Sequence, residues 1–165
     1  MRLPEIGYEI RKVRRANGLT QAALASAAGL SRTTINQLEN GGFPDLGVRK
    51  LQALLTALGL DLSLAAQPTH RAPDYVRLAA TTASVSFKEP LTEDELVGAL
   101  LRGKFPSGKR PHFRVLFEEA NPKLVQGLLR EVSRWTTPGR LERSLEKIGR
   151  EIGAGERAKQ WQTNG

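Results

Sequence analysis

Apolar positions recur at helical spacing over most of this chain. In IGYEIRKVRRANGLT, Ile6, Ile10 and Val13 share one face, because residues four and seven apart stack on one side of an α-helix. Asn17-Gly18 closes that segment. The next stretch, TQAALASAAGLSRTTINQLENG, spans residues 20–41. Thr20 and Ser31 are good N-caps, since their hydroxyls accept from backbone amides that would otherwise lack partners. Gly29 suits the left-handed residue that ends a helix. The pattern predicts a helix from Gln21 to Ala28, a turn at Gly29 and Leu30, and a helix from Arg32 to Asn40. Ile35 and Leu38 lie on one side of that last helix, and Arg32, Thr33, Asn36 and Gln37 on the other. PDLGVRKLQALLTALGL predicts a fourth helix, capped by Asp45 and ended by Gly59, with Val48, Leu51, Leu54, Leu55 and Leu58 facing inward. Four short helices over residues 5–59 fit one small all-α core.

The period then changes. In GLDLSLAAQ, Leu60, Leu62 and Leu64 alternate with polar or small residues, which predicts a half-buried strand. A lone strand leaves its edge groups unpaired, so it needs a copy of itself in a two-fold dimer or the later SVSF segment. AAQPTHRAPDYVRLAA, with two prolines, reads as a linker, and ASVSF as a short strand. LTEDELVGALLRG opens with a capping box from Thr92 to Glu95. HFRVLFEEA, PKLVQGLLREVSRW and PGRLERSLEKIGREI follow as helices, with Pro122 and Pro138 at their starts. The expected organisation is a helical unit over 1–66, a linker over 67–81, a second helical domain over 82–153 and a flexible tail over 154–165. The fold class is mainly α.

Composition narrows the chemistry. The chain has 165 residues, a net charge of +8 and no cysteine, which removes disulfides and thiolate metal sites and favours a polyanionic partner. His70 and His112 are too isolated to form a metal cluster. No apolar run approaches a membrane span, and the N-terminus lacks the apolar core of a signal peptide. The expectation is a cytoplasmic protein without a cofactor. No acid-base pair or activated nucleophile is visible, so an enzyme is not expected. GKFPSGKR has the G-x-x-x-x-G-K spacing of a phosphate loop, but Arg110 stands where Ser or Thr would hold magnesium. Around it lies a basic segment without acids, Arg102, Lys104, Lys109, Arg110 and Arg114, interleaved with Phe105, His112 and Phe113. It is either a solvated loop or a contact for nucleic acid or an acidic partner.

The pattern R-x-x-x-G-L-T-Q-x-x-L-A-x-x-A-G-L-S-x-x-x-I-x-x-L-E-N-G resembles the helix-turn-helix domain of XRE/Cro-type phage repressors over residues 3–60. The resemblance implies base contacts from Arg32, Thr33 and Gln37, with Asn36 nearby. It implies phosphate contacts from Gln21, Ser31 and Asn40, and a structural ion pair between Arg14 and Glu39. It also implies a dimer on a palindromic double-stranded operator. The strand after the helices is similar to HipB-like antitoxins, and the LTEDELVGALLRGKFPSGKRPHFRVLFEEA region to regulators paired with AbiEii-type nucleotidyltransferase toxins. On that basis the chain is expected to be an antitoxin that binds a toxin and represses its own operon. The alternative is a stand-alone regulator whose second half senses a ligand.

Overall fold

The computed structural model describes residues 2–42, 45–63 and 73–154. The chain divides into two compact units, one up to residue 71 and one from residue 72.

The first unit holds α1 (Leu3–Ala16), α2 (Gln21–Ala27), α3 (Arg32–Glu39) and α4 (Val48–Ala57). Local chemistry sets the corner between α2 and α3. Thr20 Oγ1 accepts from the Ala23 amide at 3.0 Å and Ser31 Oγ from the Thr34 amide at 3.0 Å. Gly29 has φ +65°, a conformation in which glycine avoids the Cβ penalty. Ile10, Leu24, Ala25, Ile35, Leu38, Leu54 and Leu58 form the core. Close packing of α1 on α3 depends on Gly7: a Cβ there would stand 2.1 Å from the Leu38 carbonyl oxygen.

Three expectations are corrected here. Asp45 does not cap α4; Gly47 holds the N-cap position without a side-chain bond. Val48 faces solvent at 68% exposure, since the first turn of α4 overhangs the core that Leu54 and Leu58 fill. Residues 60–63 form no strand, and Leu60 and Leu62 are exposed. An extended segment needs a partner ladder for its backbone groups, and the described residues offer none. The rest of the expected strand, 64–66, lies outside the described residues.

The second unit holds α5 (Tyr75–Ser84), α6 (Glu93–Arg102), α7 (Arg110–Glu118), α8 (Pro122–Ser133) and α9 (Pro138–Ile152). Helix α5 replaces the end of the expected linker and the start of the expected ASVSF strand. Asp74 caps it, accepting from the Arg77 amide at 2.9 Å. Val76, Ala79, Ala80 and Ala83 form its buried stripe, a helical spacing carried mostly by alanine. Glu131, from α8, accepts from the Tyr75 and Val76 amides at 3.0 and 3.4 Å, satisfying first-turn donors that the helix itself cannot. Val85 follows α5 at 80% exposure, outside any strand. Residues 67–72 of the expected linker and 155–165 of the expected tail lie outside the described residues, while Ala154 is buried.

Thr92 and Glu95 make the capping box that opens α6. The core combines Leu96, Leu100, Phe113, Leu116, Leu128, Val132 and Ile148. Gly127 lets α5 meet α8: a Cβ there would lie 2.3 to 2.5 Å from the Tyr75 ring. Gly127→Ala is expected to destabilise this unit by about 1–3 kcal/mol, the usual cost of overpacking. A urea melt followed by Trp135, which packs on this core, measures it. A change near zero would show that the ring swings aside freely. Among the described residues no helix is long and apolar enough to cross a membrane.

Candidate nucleic-acid interface

Helix α3 is held from behind and open in front. Ile35 and Leu38 are buried at its back, while Arg32, Thr33, Asn36 and Gln37 are all exposed at its front. There is no acid in its first turn, so its positive dipole end and the Arg32 charge both favour an anion.

The helix is clamped by a hydrogen-bonded chain centred on Glu39. Arg14 Nε donates to Glu39 Oε1 at 2.6 Å and Arg14 Nη2 to Oε2 at 2.9 Å. Arg14 Nη1 also donates to the Leu19 carbonyl at 2.6 Å. Both side chains are buried, and the two parallel bonds are the strong fork geometry of guanidinium and carboxylate. The hydrogen bond to Glu39 holds the Arg14 guanidinium above its ordinary pKa, against the opposing effect of burial.

The network continues towards the open face. Gln21 Nε2 donates to Glu39 Oε2 at 2.9 Å, and Asn36 Nδ2 donates to Gln21 Oε1 at 3.4 Å. A carboxylate only accepts, so the Gln21 amide nitrogen must face it. That leaves the second amide hydrogen of Gln21 for another acceptor. Asn40 Nδ2 donates to the Asn36 carbonyl at 2.8 Å. Ser31 is the N-cap of α3, and its hydroxyl also lies 2.9 Å from Thr34 Oγ1. The sequence treats the Arg14–Glu39 pair and Gln21 as separate features; the fold joins them through one carboxylate.

The basic segment 102–114 is not one surface. Lys109 turns inward, and its Nζ donates to the Glu89 and Pro90 carbonyls at 3.3 and 3.1 Å. His112 is buried, with Nε2 2.8 Å from the Glu89 carbonyl and its ring stacked on Phe87. Phe113 is in the core. These groups tie the loop between α5 and α6 to α7. Arg114 pairs with Glu118 at 3.0 Å. Partial burial pulls Arg102 below its ordinary value. Arg102, Lys104 and Arg110 remain exposed. In the phosphate-loop lookalike, Gly103 is the left-handed cap of α6 and Lys109 is committed to carbonyls. Among the described residues no group of acids and histidines is arranged to hold a metal ion.

Residues 10–64 match the helix-turn-helix family, a third of the chain. No curated protein and no solved structure matches it. The matched segment contains the corner, its core and the exposed face of α3. The chain therefore carries an XRE-type helix-turn-helix domain and is a DNA-binding transcriptional regulator.

Proposed function

We propose that the chain is a repressor that binds a palindromic operator as a homodimer, and that its second unit neutralises a cognate toxin in the cytoplasm. The exposed face of the clamped α3 carries the first part of this reading. Arg32 matches the acceptor edge of guanine, Gln37 and Asn36 match adenine, and the Thr33 methyl matches that of thymine. Gln21, Ser31 and Asn40 border this face and set register on phosphates. The eight residues of α3 extend over about 12 Å, so one copy reads few base pairs. A two-fold pair reads two half-sites. Leu60, Leu62 and Val48, all exposed on the first unit, supply apolar surface for such a pair.

Support for the antitoxin role is the second unit itself. It has its own core, which base reading by α3 does not require. The test has two arms. Selection from random duplexes should yield an inverted repeat with half-sites about 34–36 Å apart, or a multiple of that spacing. Native mass spectrometry of the protein from its host should show a stoichiometric second protein. An asymmetric site would overturn the dimer. A homodimer arriving alone would overturn the antitoxin role and leave a stand-alone regulator.

A further inference from the structure

The hydrogen-bonded chain from Arg14 to Asn36 has a direction, and its buried end sets it. Glu39 only accepts. Its Oε2 takes hydrogen bonds from Arg14 Nη2 and Gln21 Nε2, both at 2.9 Å, while Oε1 takes Arg14 Nε at 2.6 Å. The carboxylate is buried and forked on Arg14, so neither oxygen is free to turn away. Gln21 is thereby anchored with its amide nitrogen inward and its Oε1 towards Asn36. An amide oxygen has no hydrogen to give, so the group that meets it must donate. Asn36 meets it with Nδ2 at 3.4 Å. The opposite orientation would set Asn36 Oδ1 against Gln21 Oε1, two acceptors face to face.

The exposed end inherits this order. Asn36 stands on the open face of α3. The two ends of an asparagine amide are alike in shape and opposite in hydrogen bonding, so an unanchored side chain can turn either one to a base. Here the nitrogen is held towards Gln21. Asn36 keeps Oδ1 and its second amide hydrogen for an outside partner. Adenine matches that pair, with its N6 amino group donating to the oxygen and N7 accepting from the nitrogen. Guanine carries two acceptors on the same edge, O6 and N7, and its O6 would meet Oδ1.

We propose that Gln21 is a positioning residue for base reading: anchored by Glu39, it fixes the amide of Asn36 so that α3 takes adenine and rejects guanine at one base pair. The proposal rests on α3 being the reading helix. It adds to the phosphate contact of Gln21, which uses the amide hydrogen that Glu39 leaves over. Gln21 and Asn36 are 15 residues apart and on different helices, so the contact exists only because the Gly29 corner folds α2 against α3.

The test uses the full chain and the operator selected from random duplexes, with each base pair varied in turn. Asn36→Ala should erase an adenine-over-guanine preference of about five- to 150-fold at one pair, the span of a single two-bond base contact. Gln21→Met, similar in length but without the amide, should remove most of the preference at that same pair. The double variant should lose no more there than Asn36→Ala alone, since the two residues act as one unit. Loss of the Gln21 phosphate contact weakens every duplex alike and cancels in the ratio. Preferences retained at the pairs read by Arg32 and Gln37 show that the variant is folded, and Gln21→Leu repeats the measurement if methionine disturbs the corner. An unchanged adenine-to-guanine ratio in the Gln21 variants would overturn the proposal, as would an Asn36→Ala variant that erases no such preference at any pair. A wild type without base preference anywhere would overturn the reading of α3 itself, a different failure from one confined to a single pair.

Discussion

Glu39→Ala is expected to unfold the helix-turn-helix domain at temperatures where the wild type is intact. The substitution leaves the Arg14 guanidinium buried and without its carboxylate, and it removes the acceptor of Gln21. Breaking a buried pair from one side costs roughly 3–5 kcal/mol, because a charge remains out of water. A unit of about 60 residues has a total stability on the order of 3–9 kcal/mol, so the loss consumes most of it. One kcal/mol shifts the midpoint of such a domain by about 4–8 °C, which predicts a fall of about 12 °C or more. The Arg14→Ala, Glu39→Ala double variant should be less damaged than the sum of the singles, since no orphan charge remains. Trp135 reports on the second unit, whose core it touches, and its transition should stay in place. A single-variant melt within a few degrees of wild type would show that the pair contributes no more than a surface ion pair.

The features legible in the sequence are those whose cause is local. Thr20, Ser31 and the Thr92–Glu95 box act within one helical turn, so their residue types and spacing announce the helix starts. Gly29 likewise marks a backbone conformation that its neighbours do not choose. Helix α5 was hidden because its buried stripe is mostly alanine, so the apolar pattern is faint, while two nearby prolines suggest a connector. No local spacing pairs Arg14 with Glu39, 25 residues away; only the resemblance to XRE/Cro-type domains places them together. Lys109 and His112 look like members of a basic surface because residue type says nothing about direction. Their inward turn depends on the Glu89 and Pro90 carbonyls of a loop some 20 residues earlier. The approach of α6 to α9 is invisible for the same reason: it exists only where Gly103 meets Ser144.

Replacing Arg32 and Gln37 together by alanine should abolish preference for the selected operator without loosening the fold. Both side chains are exposed, and substitutions at such positions usually change stability by less than about 0.5 kcal/mol. Each base contact that presents two matched donors or acceptors discriminates by about 1–3 kcal/mol. The pair should therefore lose roughly 2–6 kcal/mol at the operator, on the order of 30-fold to ten-thousandfold. Binding to arbitrary duplex should persist, because phosphate contacts supply nearly all of the non-specific term. The salt slope should stay close to wild type, since contacts to bases set specificity and contacts to phosphates set the slope. A footprint and a base preference unchanged in the double variant would remove α3 from the reading position, however well it is clamped by Glu39. Loss of operator preference with the slope retained would assign reading to the front of α3 and leave the Glu39 network the task of holding that face in position.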